Sequence, residues 1–332
     1  MATDEAAGFK SCDETDVTAP VWPNAPVANL TATDALIGGT IDLSWDTATD
    51  TENPPMYALY RDTTSGFTPD DTVNLIATAL QTTSYTDTGL TDGISYYYRI
   101  KTYNCAGLES FATDEAQAMP TWKDICDAQL FDEVSPSPTG DSIYKGQTLK
   151  LVGVATVPNG TYSSTYTKVY IQNQNGCAIN LYYSDEVIPI NMGDTVTVIG
   201  TITEYKGLTE IVPNSSSDVT VTSGGAIPAP LQINTGTDSF TLERTECRLV
   251  RAKGIVSGKT SYEFYIDDGS GPLKVYIDSD TGIDISNIND GDEVAVTGIL
   301  SQYDSTSPYF EDYQILPRFQ ADIKTAQIDG YV

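Results

Sequence analysis

The sequence predicts an all-β chain of three tandem modules, a two-sheet sandwich followed by two small five-stranded Greek-key barrels. Three observations carry this. From residue 25 to 118, short apolar runs alternate on a period of two between turn residues, as half-buried strands do. Between residues 150 and 317 the chain repeats itself at a spacing of roughly 100 residues, the length of a small β module. The composition of 26 Gly, 17 Pro and 21 Tyr with only 19% charged residues favours strands and turns over helices.

In the first module, Ile41, Leu43 and Trp45 fall on one face of a strand. Tyr57-Ala-Leu-Tyr60-Arg61 and Asn74-Leu-Ile-Ala-Thr78 follow as further strands. Leu90 and Tyr96 then flank Gly93 at the spacing of a tyrosine corner, in which the Tyr hydroxyl bonds back to the main chain. With Asn29-Leu30, Ser84-Tyr85-Thr86-Asp87, Tyr98-Arg99-Ile100 and Asn104-x-Ala106-Gly107, these residues resemble a bacterial fibronectin type III module. The resemblance implies an Ig-like sandwich in which Trp45, Leu90 and Tyr96 are structural core.

The repeat sets the rest of the fold. Gly153 in Lys150-Leu-Val-Gly-Val pairs with Gly254 in Arg251-Ala-Lys-Gly-Ile, and Gly176 pairs with Gly271. The Gly-Asp turn and strand ending at Gly200 pair with those ending at Gly298, and Pro213 pairs with Pro317. Each copy reads as five strands, the first long enough to bend at an internal glycine and join both halves of a small barrel. The pattern resembles OB-like domains of secreted bacterial proteins and of the accessory regions of extracellular nucleases, most clearly over residues 198–211. The second copy departs from it where Tyr303-Asp-Ser-Thr-Ser-Pro-Tyr309 replaces the Tyr205-Lys-Gly-Leu turn. The expected organisation is an N-terminal segment (1–23), a fibronectin type III-like domain (24–119), a linker (120–138) and OB-like domains at 139–226 and 227–332.

Charge and residue types then bound the function. The chain has no histidine, which excludes His-based triads, His-ligated metals and a His general base. The adjacent carboxylates Asp267-Asp268, Asp290 with Asp292, and Glu311-Asp312 sit beside turn residues and read as solvated turn acids, so no catalytic residue is expected. No organic cofactor is expected either. A loose calcium site at Asp278, Asp280 and Asp284 is the metal candidate, although the segment misses the spacing of an EF-hand. Tyr170, Tyr182, Tyr265 and Tyr276 lie on the second and third barrel strands, where OB-like barrels stack ligands.

A net charge of −29 disfavours nucleic acid as a partner. The one basic cluster, Arg244, Arg248, Arg251 and Lys253, is interleaved with Glu243 and Glu246. No stretch has the roughly 20 apolar residues of a membrane span, and the first residues do not read as a signal segment. Cysteines without Cys-x-x-Cys spacing point to disulfides: Cys12 with Cys105, or Cys126 with Cys105 or Cys177.

These features lead to a non-catalytic extracellular protein of the bacterial cell surface, an adhesin segment, surface-layer component or filament subunit. Its partners would be other copies of itself or other surface proteins. The alternatives are an accessory region of a secreted nuclease-like enzyme, or a carbohydrate- or single-stranded-nucleic-acid-binding module that uses the barrel tyrosines.

Overall fold

A computed structural model describes residues 15–23, 28–51 and 53–325, and divides the chain into two units, 1–122 and 123–332. In the first unit, period-two alternation produces seven strands: β1 (Thr31–Asp34), β2 (Thr40–Ser44), β3 (Met56–Asp62), β4 (Leu75–Leu80), β5 (Ser84–Thr88), β6 (Tyr96–Tyr103) and β7 (Ala116–Ala118). They form two antiparallel sheets of order β1-β2-β5 and β4-β3-β6-β7, the arrangement of a fibronectin type III sandwich.

Inward residues of β2 and the segment after it (Ile41, Leu43, Trp45) meet Tyr57, Leu59, Tyr98 and Ile100 of the other sheet. Trp45 packs edge-on to Tyr57 at 5.6 Å between ring centroids. The tyrosine corner is present, with the Thr91 N–H donating to the Tyr96 hydroxyl at 3.0 Å. Asp87 is buried but satisfied, accepting from Arg61 and from the Tyr98 hydroxyl, each at 2.8 Å.

The second unit begins with a short helix, α1 (Ile125–Ala128), started by a capping box between Asp124 and Asp127. Residues 120–138, expected as a linker, are ordered: Ile125, Ala128 and Phe131 are buried, and Cys126 is disulfide-bonded to Cys177. Apolar anchors placed between polar residues account for the difference, because a three-residue pattern is too short to show helical periodicity.

The first barrel follows, with β8 (Thr148–Ala155), β9 (Thr167–Gln172), β10 (Ala178–Tyr183), β11 (Thr195–Tyr205), β12 (Leu208–Val212) and an added edge strand, β13 (Val219–Thr222). The second contains β14 (Leu231–Gln232), α2 (Ser239–Glu243), β15 (Leu249–Ser257), β16 (Glu263–Asp267), β17 (Pro272–Tyr276), β18 (Glu293–Gln302), β19 (Tyr313–Leu316) and β20 (Ile323–Thr325).

Both copies close in the same way. Strands β8-β9-β10-β12-β11 return to β8, and β15-β16-β17-β19-β18 return to β15, with the third and fifth strands parallel in each ring. This is a five-stranded OB-like Greek-key barrel. Glycines make the closure sterically feasible. A Cβ on Gly200 would lie 2.7 Å from the Val212 carbonyl oxygen, and one on its repeat equivalent Gly298 would meet the Leu316 carbonyl. Beyond Gly153 and Gly254, β8 and β15 take up pairing with the second strand while they remain paired to the fourth.

Candidate functional site: a tyrosine-lined groove between the barrels

The barrels are joined through a shared apolar core in which Val157, Tyr162, Tyr170 and Leu208 of the first pack with Leu249 and Leu316 of the second. Hydrogen bonds cross the same boundary. The Tyr162 hydroxyl donates to the Leu316 carbonyl at 2.9 Å, and the Leu249 N–H donates to Gln172 Oε1 at 3.2 Å. Arg318 donates to the Thr156 carbonyl at 2.8 Å while held by the Asp322 carboxylate.

Beside this core lies a groove of about 590 Å³ lined from both barrels. Its walls come from equivalent positions of the repeat. In the first barrel, Lys168 on β9 stands opposite Tyr182 on β10; in the second, Glu263 on β16 stands opposite Tyr276 on β17. Tyr166 packs edge-on to Tyr182 at 5.5 Å, as Tyr262 does to Tyr276 at 6.1 Å. Tyr205 at the end of β11 and Tyr303 just after β18 occupy matching places, and their rings meet at 6.3 Å across the groove. Both are about half exposed, so their rings are available to a ligand.

Lys274, 4.0 Å from Glu263, and Glu210, which accepts a 2.7 Å hydrogen bond from buried Asn180, complete the polar lining together with Asp278. Burial pushes the Glu210 carboxyl up to about 7, against the opposing pull of nearby Lys168. Glu210 therefore exchanges its proton near neutrality, and can donate or accept a hydrogen bond there.

Glu210 is one of four glutamates among the described residues of this unit whose carboxyls are raised by burial. Glu204 accepts from the Ser142 N–H at 2.8 Å and the Thr209 hydroxyl at 3.1 Å, and burial raises it to about 8. Glu243 accepts from the Tyr313 hydroxyl at 2.5 Å and is also raised by burial to about 8. Glu246 accepts from the Thr209 N–H at 3.0 Å; burial, then the neighbouring Glu243 and Glu204, push it well above the carboxylate range. Cys247 beside it is a buried free thiol, raised by burial.

Several expectations need correction. Tyr182 and Tyr276 line the groove, but Tyr170 is wholly buried in the shared core, edge-on to Tyr162. Tyr265 lies on the outward face of β16, outside the groove lining. Tyr166, Tyr205 and Tyr303 were missed, although the Gly200–Gly298 offset relates Tyr205 to Tyr303 directly.

The calcium candidates do not converge. Asp278 accepts the Asp280 N–H and Asp284 accepts the Ser286 N–H, each closing its own turn, and among the described residues no three acidic, Cys or His side chains group around a cation position. The basic cluster is only partly open: Arg244 is paired with Glu133 and Arg248 is half-buried, while Arg251 and Lys253 are exposed. Glu243 and Glu246, read as part of that charged stretch, are core residues instead. Alternating charge gave no sign that the backbone there turns inward. Cys105 is disulfide-bonded, while its proposed partner Cys12 lies outside the described residues.

The chain is 33% identical over 183 residues to an endonuclease, YhcR of Bacillus subtilis (strain 168); the match covers 52% of the chain and 14% of that protein. It is 36% identical over 110 residues to an alpha-amylase of Niallia circulans, covering 32% of the chain and 8% of that protein. The chain thus corresponds to a small part of either relative. Among solved structures, an Fn3-like protein from Clostridium thermocellum is 30% identical, with 32% of this chain and 99% of that one covered at a TM-score of 0.25. No family model matches the chain.

Proposed function

We propose that this chain is a non-catalytic accessory region of an exported bacterial polypeptide, in which the double barrel binds a ligand in its groove and the fibronectin type III-like unit acts as a spacer. The observation that carries this reading is the meeting of repeat-equivalent tyrosines on one groove. Tyr205 and Tyr303 leave large aromatic surface half exposed at a concave site, where the unfavourable hydration of their rings is relieved by a ligand.

Two further features support it. The carboxyl groups with strongly raised pKa values are tied to Ser142, Thr209, Asn180 and Tyr313, so each has a structural partner. The Cys126–Cys177 disulfide suits an oxidising compartment. The partial matches to an endonuclease and an amylase fit an accessory region carried by different enzymes. An adhesive role at the cell surface is served by the same groove where its ligand is anchored in the wall.

Calorimetric titration of the whole chain against wall polymers, storage glycans and single-stranded oligonucleotides tests this. Saturable binding that disappears in Tyr205→Ala/Tyr303→Ala, without turnover of any polymer, is the expected result. Hydrolysis of a polymer by the purified chain, or binding unaffected by the double substitution, overturns it.

A further inference from the structure

We infer that the groove takes an uncharged linear oligosaccharide rather than a polyanion, with its sugar rings lying across tyrosines of both barrels. The inference rests on the groove being the binding site, and it concerns what the groove selects. The lining holds two lysines, Lys168 and Lys274, against three carboxyl groups, Glu210, Glu263 and Asp278. Lys274 is 4.0 Å from Glu263. A phosphodiester or uronate chain needs cations left over for its own charges, and this lining has none to spare. The surrounding field makes matters worse for a polyanion, since residues 139–332 hold 12 basic and 24 acidic side chains.

The same arrangement suits a pyranose chain. A pyranose has an apolar C–H face and a rim of hydroxyls. Its apolar face packs on an aromatic ring, and vicinal hydroxyls both donate and accept. The Lys274–Glu263 pair answers that rim with a charged donor beside a charged acceptor, giving strong directional hydrogen bonds without net charge. Gln314 contributes a neutral group that does both. The tyrosines recur in equivalent places on the two copies: Tyr182 with Tyr276, and Tyr205 with Tyr303. A ligand that repeats the same ring along its length can use both sets, whereas a compact ligand meets only one.

The test is titration of the full chain with uncharged hexasaccharides (cello-, malto-, laminari-, xylo- and N-acetylchito-series) and with the oligonucleotide dT12, at 50 and 500 mM NaCl. The expected result is binding of at least one neutral hexasaccharide, with affinity changing less than twofold between the two salts. It should weaken at least tenfold in Tyr205→Ala/Tyr303→Ala, and also when the ligand is shortened to a disaccharide. Circular dichroism of the double variant, expected to match the parent because both rings are half exposed, guards against loss of fold. Binding of dT12 alone, steeply salt-dependent and lost in the double variant, overturns the oligosaccharide while leaving the groove as the binding site. Absence of binding by every probe overturns both.

Discussion

The glutamates raised by burial are expected to make the double barrel less stable as pH rises from 5 to 8.5, and Glu204 allows the effect to be isolated. Its carboxyl, ordinarily near 4.5, is raised by burial to about 8 in the folded chain. Below pH 4.5 the group is protonated in both folded and unfolded chains, and its contribution to stability is fully present. Between 4.5 and 8 the unfolded chain releases a proton that the folded chain retains, so stability falls as pH rises; above about 8 the loss is complete. At ~1.4 kcal/mol per pKa unit the full loss is ~5 kcal/mol, with a slope of at most ~1.4 kcal/mol per pH unit from this group. Glu210 and Glu243 act with the same sign.

Glu204→Gln keeps an oxygen to accept from the Ser142 N–H and the Thr209 hydroxyl but cannot ionise. The variant is expected to match the parent near pH 4.5 and to exceed it by a few kcal/mol, on the order of 2–5, at pH 8.5. The chain offers a convenient readout, because Trp22, Trp45 and Trp122 all lie in the first unit. Urea unfolding followed by near-ultraviolet tyrosine dichroism reports chiefly the barrels, while tryptophan emission follows the sandwich as an internal control. A parent barrel transition that does not weaken between pH 5 and 8.5, or a variant no more stable than the parent at pH 8.5, refutes the reasoning.

Three other outcomes follow from the packing. Cys126→Ser/Cys177→Ser removes a cross-link of sequence separation 51; it should destabilise the barrel unit by ~4 kcal/mol in the chain-entropy model, seen as a lower urea midpoint in the barrel transition only. Gly298→Ala forces a methyl group against the Leu316 carbonyl where the second barrel closes. It should cost about 1–3 kcal/mol, measured by the same unfolding curves. In the sandwich, Asp87→Ala leaves the Tyr98 hydroxyl and Arg61 without their shared acceptor. A loss of about 2–3 kcal/mol in the transition reported by tryptophan emission is expected, with the barrel transition unchanged.

How much of this was legible beforehand differs from element to element. Strand alternation is a local property, so Ile41, Leu43 and Trp45 could be assigned to one face, and the Leu90–Tyr96 spacing to a corner, without any partner strand in view. The repeat located both barrels, and Gly153 and Gly254 marked where the first strand bends from one partner to the next. The segment 120–138 was only partly legible: Cys177 was among the partners open to Cys126, but the burial of Ile125 and Phe131 depends on residues far along the chain.

Tyr170 and Tyr265 show most clearly what the sequence by itself determined and what the tertiary structure decided. They are equivalent residues of the repeat, each pointing out of its own barrel between two inward apolar neighbours, and the alternating pattern determines that much. One is wholly buried and the other is open to solvent. Periodicity specifies which side of a strand leaves the barrel, but not what covers that side. That depends on which faces of two non-equivalent partners lose water most favourably when they dock, and the same docking brings Glu246 to Thr209 and Tyr205 to Tyr303.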